Sequence, residues 1–370
     1  MRAPEPPFPG CDWLAEPCAS PDEEFRQRAL ARQGELTKPP GSLGRLEEVA
    51  VTLAALQRRD RPSADRVPVL VFAGDHGVTA QGVSAYPSEV TVQMLTNFRD
   101  GGAAIAVLSR TLGLPLHVVD VGSAAPEPVP GIVTDKAAHG TADFTTGPAM
   151  TEDEVAHALT AGRRALERVL GEVESTYDAP AELLVLGEMG IGNTTAAAAL
   201  ACLLAGLPTD EAAGLGTGLD DEGRRRKRAV LDEAVARHTD AVTAAGGAGA
   251  LEALRRVGGL EIAALAGAMV TAAQRGVPVL VDGFIVSSAA LVAERYHPGV
   301  RPWLLFSHRS AERGHRDLLL ALGAQPLLDL DLRLGEGTGA ALALPLVRAA
   351  CALHGQMATF AEAAVSGPRP

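Results

Sequence analysis

Leu183-Leu184-Val185-Leu186-Gly187-Glu188-Met189-Gly190-Ile191-Gly192-Asn193-Thr194-Thr195, continuing into the alanine-rich run Ala196 to Ala201, is the stretch on which the fold turns. Four consecutive apolar residues ahead of a glycine predict a strand buried on both faces, and the Ala/Leu run predicts a tightly packed helix. The glycine-rich turn between them has the spacing of a phosphate-binding loop, with Asn193 where such a loop carries lysine. Backbone N–H groups at a helix start attract phosphate, and the Thr194 and Thr195 hydroxyls add donors. Without the lysine, a monophosphate suits the turn better than a triphosphate. A glycine turn also serves simply to pack a helix onto a sheet, and the motif alone leaves both readings open.

The chain has 370 residues, enough for two domains or one large α/β domain, and 47% of them are hydrophobic. Acidic residues outnumber basic ones, 45 to 33, for a formal charge of −12, and only 4% are aromatic. That balance argues against nucleic acid as a partner. Apolar runs are interrupted before the roughly 18 residues a membrane span requires. The start, Met1-Arg2-Ala3-Pro4-Glu5-Pro6-Pro7-Phe8-Pro9, lacks the apolar centre of a signal peptide; residues 1–20 read as a flexible tail, and a cytoplasmic location is expected. Cys11, Cys18, Cys202 and Cys351 form no Cys-x-x-Cys pair and read as buried or incidental thiols.

Ahead of the central stretch, Ser20-Pro21-Asp22-Glu23 predicts an N-cap at Ser20 and a helix to about Gln33, and Ser42 is placed to cap a second helix with Leu43, Leu46, Val49, Leu53 and Leu56 on one face. Lys38, in the loop between them, could reach a phosphate or a carboxylate, although a lone loop lysine is more often solvated. A buried strand from Val67 to Ala73 ends in Gly74-Asp75-His76-Gly77, and polar residues at that end of a parallel strand are site candidates. Ser84, Tyr86, Gln93 and Met94, from the following loop and helix, suit a flat heteroaromatic ligand. A second strand over Pro115–Val121, an irregular segment from Gly122, and a helix capped by Thr151 and Glu154 and running to about Leu170 complete a strand–helix–strand rhythm. The fold class is therefore α/β, built on a parallel sheet.

Beyond it, Gly214 to Asp221 is a second glycine-rich junction, with Asp220 and Asp221 best explained by the charge preference of a helix start. Five consecutive basic residues, Arg224 to Arg228, surround the next helix, so at least one of them must face inward. Gly258 to Met269 predicts a helix of small residues suited to close backbone approach, with Glu261 either meeting the helix dipole or touching a ligand. Strands over Val277–Val281 and Trp303–Phe306 end in Asp282-Gly283 and in Ser307-His308-Arg309-Ser310. His308 and His315, seven apart, are placed to share one side of a helix, but nothing completes a metal set. Glu336, between Gly335 and Gly337 and ahead of a helix over Ala341–Leu353, is open to a ligand; apolar neighbours would raise its pKa into the range useful for a base. The polar chemistry thus falls along one sheet edge and rests on carboxylates, dipoles and positioning, without a nucleophile elbow, a metal or a cofactor.

Lys38-Pro-Pro-Gly-Ser-Leu-Gly44, Gly74-Asp-His-Gly-Val78, Gly187 to Thr195, Val281-Asp-Gly-Phe284, His308-Arg-Ser310 and Gly335-Glu-Gly-Thr-Gly339, in this order over residues 22 to 365, resemble the nicotinate-nucleotide:dimethylbenzimidazole phosphoribosyltransferase family. The resemblance implies transfer of phosphoribose from nicotinate mononucleotide to 5,6-dimethylbenzimidazole, with inversion at the anomeric carbon, giving nicotinate and α-ribazole 5′-phosphate for the lower loop of cobalamin. It implies that Glu336 is the catalytic base and that Glu188 and Lys227 support it. Gly190, Gly192, Asn193 and Thr194 would lie near the ribose phosphate, and Ser84, Tyr86, Gln93 and Met94 would form the base pocket. Asp282 and Ser310, in two of the shared motifs, are assigned to substrate binding. It further implies a homodimer, with a small helical domain from both chain ends (residues 21–60 and 340–370, including a helix over Gly355–Val365) and a large Rossmann-like domain over 61–339. The rival readings are an NTPase with a degenerate phosphate loop and a noncatalytic nucleotide-binding regulator.

Overall fold

The computed structural model describes residues 4–214, 218 and 220–366; part of the Gly214–Asp221 junction therefore lies outside the described residues. Six strands, β1 (Val69–Gly74), β2 (Leu116–Gly122), β3 (Val133–Thr134), β4 (Leu184–Met189), β5 (Val279–Val281) and β6 (Leu304–Phe306), form one parallel sheet in the order β3-β2-β1-β4-β5-β6. This is the doubly wound Rossmann order, whose direction reverses between β1 and β4. A small parallel pair, β7 (His308–Arg309) and β8 (Leu328–Asp329), stands apart from it.

Alternation along the strands feeds two cores. Val69, Val71, Val185 and Leu280 face a helical layer on one side, whereas Leu70, Phe72, Leu184, Leu186, Val279 and Val281 face the layer on the other. The first layer holds α1 (Glu23–Glu35), α2 (Arg45–Gln57), α3 (Glu89–Asp100) and α4 (Ala104–Leu112). The second contains α5 (Glu152–Tyr177), α6 (Asn193–Ala205), α7 (Thr209–Ala212), α8 (Asp221–Ala244), α9 (Gly249–Val257), α10 (Leu260–Arg275), α11 (Phe284–Tyr296) and α12 (His315–Ala321). The last helix, α13 (Thr338–Gln356), returns to the first layer. It is long and apolar enough to cross a membrane, yet here it is a core helix whose Ala340, Leu344 and Val347 pack on the sheet. The small residues of α10 do what their pattern predicts. Gly267 lies against the Leu159 carbonyl and Gly162 of α5 against that of Ala264, so neither position has room for a Cβ.

Several local expectations change. Asp22, not Ser20, caps α1, accepting the N–H groups of Glu24 and Phe25. Gly44, with φ +53 and no side chain to cap with, is the N-cap of α2, and Ser42 is used in the preceding turn. Lys38 is buried and paired with Glu47 at 2.8 Å rather than solvated. α5 runs a full two turns past Leu170. Residues 357–366 form turns rather than a helix, tied back where Phe360 N–H donates to the Glu35 carbonyl.

The largest difference is at the start. Residues 4–19 are not a free tail: Phe8, Cys11, Trp13 and Leu14 are buried in the second core. The Tyr296 hydroxyl donates to the Pro4 carbonyl at 2.7 Å, Gln274 to that of Trp13 at 2.7 Å, and the Trp303 indole to that of Ala19 at 2.8 Å. Their partners lie more than 250 residues away, so local composition carries no sign of them.

Candidate active site

Because every strand of the sheet is parallel, the C-terminal ends share one edge, and a cleft of about 380 Å³ opens there. Tyr86, Val90 and Met94 line it from the loop before α3 and from α3 itself; Glu188 to Ile191, Asn193 and Thr194 come from β4 and its turn. Gly283, Phe284 and Ile285 follow β5, His308, Ser310 and Glu312 follow β6, and Arg333 to Glu336 lead into α13. The volume lies within the usual range for small-molecule sites, at the switch point where doubly wound sheets bind ligands.

The glycine turn behaves as a loop-to-helix junction. Gly192, at φ +98, is the N-cap of α6, a conformation that favours glycine. Much of its hydrogen bonding is internal: Asn193 N–H donates to the Gly190 carbonyl, Thr195 N–H to that of Gly192, and Ile191 N–H to the Thr91 hydroxyl. Thr195 is fully buried and its hydroxyl stays out of the cleft, contrary to the expected donor role. The Asn193 amide donates to the Glu188 carboxylate. Lys227, buried on α8, donates to the Thr194 hydroxyl at 2.8 Å, so the cation missing from the loop is delivered from another helix. Burial lowers its pKa to about 8, with Glu312 opposing that shift.

Glu336 sits at φ +64, a strained conformation for a non-glycine residue that points to an imposed position. Its main-chain N–H donates to the Glu188 carbonyl, and its Oε2 accepts the Ile105 N–H at 3.1 Å. It is 5% exposed at the cleft, not a solvent-facing turn residue. Burial raises its pKa; the Ile105 N–H opposes this and the Asp282 charge adds to it. Glu188 is raised further, by burial first and then by the charges of Glu261 and Asp282. The cleft floor is thus a carboxylate-rich, poorly hydrated surface, suited to a cationic ring and to proton removal.

Not every expected residue meets here. Tyr86 and Met94 line the cleft, whereas Gln93 is exposed and Ser84 bonds to the Tyr86 main chain, both outside the lining. Gly190 lines it; Gly192 lies behind, against His76 and Thr79. Asp282 lies beneath the cleft, not in it, and holds the start of α13. Ser310 lines the cleft, and its N–H donates to His315 Nδ1 at 2.8 Å. His308 and His315 do not share a helix: they belong to β7 and the start of α12, with ring centroids 6.2 Å apart. Accepting at Nδ1 leaves the His315 proton on Nε2, facing the Ser287 hydroxyl, and burial drives its pKa down to about 3.

Asp75 and His76 take structural roles. Asp75 accepts the Thr91 hydroxyl and the Ala124 N–H, and His76 Nε2 pairs with Glu261 at 2.7 Å in full burial. That pair, rather than a ligand contact, accounts for Glu261. Thr91 and Ile105 serve the site without any sequence signal, since each acts through a partner distant in the chain, and Glu312 lines the cleft while facing Lys227. Among the described residues no three His, Cys, Asp or Glu side chains converge as a metal site.

A Rossmann-like sheet with a glycine-rich loop, a lysine delivered from another helix and a buried carboxylate at its switch point defines the small-molecule site of a doubly wound α/β protein. Known proteins agree: a family described as Phosphoribosyltransferase matches residues 18–365. A nicotinate-nucleotide–dimethylbenzimidazole phosphoribosyltransferase from Bradyrhizobium sp. strain BTAi1 is 61% identical over 359 residues, covering 96% of this chain and 98% of the relative. The enzyme of the same name from Pseudomonas aeruginosa strain PAO1 is 57% identical over 355 residues, covering 96% of this chain and 98% of that one. The crystal structure of such an enzyme from Thermus thermophilus superimposes with a TM-score of 0.86 at 48% identity, covering 94% of this chain and all of that one. The chain belongs to the nicotinate-nucleotide–dimethylbenzimidazole phosphoribosyltransferase family.

Proposed function

We propose that the protein transfers the phosphoribosyl group of nicotinate mononucleotide to a ring nitrogen of 5,6-dimethylbenzimidazole, releasing nicotinate and forming α-ribazole 5′-phosphate for cobalamin lower-loop assembly. The observation that carries this reading is the Glu336 carboxylate, held at the cleft by the Ile105 N–H and shifted upward by burial. Nicotinate leaves from a cationic ring nitrogen and needs no protonation. As one benzimidazole nitrogen attacks the anomeric carbon, the C–N bond to nicotinate breaks and its electron pair goes to the pyridine nitrogen. The other benzimidazole nitrogen gives up its proton, and Glu336 takes it.

Glu188, fixed by Asn193, faces the ribose in this scheme, and in its ionised form it favours positive charge developing at the anomeric carbon. Thr194, oriented by Lys227, and Gly190 receive the phosphate. Tyr86 and Met94 give the benzimidazole an apolar wall. We take α1, α2 and α13 as the smaller helical unit and a homodimer as the working assembly, on the family pattern; a cytoplasmic location suits the same reading.

The test is incubation of the protein with nicotinate mononucleotide and 5,6-dimethylbenzimidazole, followed by chromatography. Equimolar nicotinate and α-ribazole phosphate are expected. Nucleotide binding without nicotinate release would refute the assignment and leave a binding protein.

A further inference from the structure

Asp282 does not line the cleft, although its motif suggests a substrate contact. It is 1% exposed at the end of β5, and its two oxygens are aimed at another element. Oδ1 accepts the Ala340 N–H at 2.9 Å and Oδ2 the Gly337 N–H at 3.2 Å. Those are donors at the start of α13, whose own N-cap, Gly337, supplies no side-chain acceptor. The cap that a helix ordinarily takes from the residue before it comes here from a strand 55 residues earlier in the chain. The residue just ahead of Gly337 is Glu336, in a left-handed conformation and in a turn that Thr338 closes on the Gly335 carbonyl.

We propose that Asp282 is the positioning residue of the general base: its carboxylate clamps the first turn of α13 and so sets where the Glu336 carboxylate stands in the cleft. The inference rests on the base role of Glu336 in the proposed reaction. Two consequences follow from charge and geometry. A carboxylate offers an acceptor to each N–H, whereas an amide offers one acceptor and presents a donor to the other, so an asparagine would push on the turn. The negative charge also stabilises the protonated form of Glu336. Other groups around Glu336 are Glu188 on β4, which itself faces Glu261 on α10, His308 on β7, Glu312 and Arg333 in the lining, and the main-chain N–H groups of Ala104 and Ile105 on α4. Burial raises the Asp282 pKa on balance, while His308, with Nδ1 3.8 Å from Asp282 Oδ1, and the N–H partners oppose that shift by favouring its charged form.

The experiment compares full pH–rate profiles of the unaltered enzyme and Asp282→Asn, with Asp282→Ser as a second variant whose hydroxyl still accepts one N–H. Folding is checked by circular dichroism. We expect kcat to fall by about tenfold or more while KM for nicotinate mononucleotide stays within about threefold. The acid limb of kcat should also move to lower pH by about half a unit or more, because a neighbouring negative charge is gone. A cap with no bearing on the base would leave that limb where it is. Folded variants with an unchanged limb and kcat would overturn the proposal, as would failure of both variants to fold, which would make Asp282 purely a structural cap. Absence of turnover in the unaltered enzyme would instead strike the proposed function, so the two failures are distinguishable.

Discussion

Gly187 and Glu336 touch through their main chains, 149 positions apart: a methyl group on Gly187 would overlap the Glu336 carbonyl and come within 2.6 Å of the Gly337 nitrogen. The strand that carries the glycine turn and the turn that carries Glu336 are therefore seated directly on each other.

Gly187→Ala should displace the Glu336 turn without touching any substrate. Misplacing a reacting group by about an ångström costs on the order of 100-fold in rate. We expect kcat to fall by that order in a folded protein, with nicotinate mononucleotide affinity little changed. Steady-state kinetics and a direct binding isotherm check it; a fully active variant would show that the contact is slack.

Glu336→Gln should lower kcat by about 100-fold or more, the typical contribution of a positioned base. The unaltered enzyme should also lose rate as pH falls through the raised pKa of Glu336, because only the carboxylate accepts a proton. The limb should therefore lie above the ordinary carboxylate range near pH 4.3. It should vanish from the residual rate of the Gln variant. A limb that persists there belongs to another group.

Lys227 is held by burial at a pKa of about 8, below the ordinary lysine value. Its charge, which in the proposed reaction would favour the phosphate, is present below that pH and lost as pH rises through it. The dissociation constant of nicotinate mononucleotide should thus increase between about pH 7 and about pH 9 in the unaltered enzyme. In Lys227→Met binding should be weaker near neutral pH and nearly flat with pH. Calorimetry resolves the two; a slope surviving in the variant would remove Lys227 from phosphate binding.

The docked segment over residues 4–19 predicts a stability effect without a catalytic one. Trp13 is buried, and its truncation to Ala should cost about 3 kcal/mol or more, in the range for aromatic core residues. Deleting residues 1–19 should lower Tm further while kcat at low temperature is retained. Thermal unfolding together with activity measures both, and an unchanged Tm would mean that the segment contributes no net stability.

What the sequence made legible was local. Runs such as Leu183–Leu186 and Val277–Val281 announce buried strands, glycines beside acids mark strand ends, and Glu336 stands out because glycines flank it. What it hid was pairing across distance. Lys38 finds Glu47 only because a loop folds back, His76 finds Glu261 across 185 residues, and Phe8 and Trp13 enter a core made largely by later helices. Asp282 was visible as an acid at a strand end, but its direction was not: whether such a side chain meets substrate or a neighbouring helix depends on where α13 starts. The boundary errors have a similar origin. Ser20 and Ser42 are sound caps by type, yet Asp22 and Gly44 occupy the positions set by packing.

The seating of Gly187 against Glu336 also bears on how the protein is made. The glycine turn and its lysine leave the ribosome well before the base does, and the chain folds as it emerges, early elements first. Until the segment from Glu336 onward arrives, β4 faces an empty place where the Glu336 turn belongs, and the buried face awaiting α13 is uncovered. The Glu336 turn is thus seated in the same event that covers this face of the core, so a chain without α13 has neither Glu336 in place nor the shelter around it.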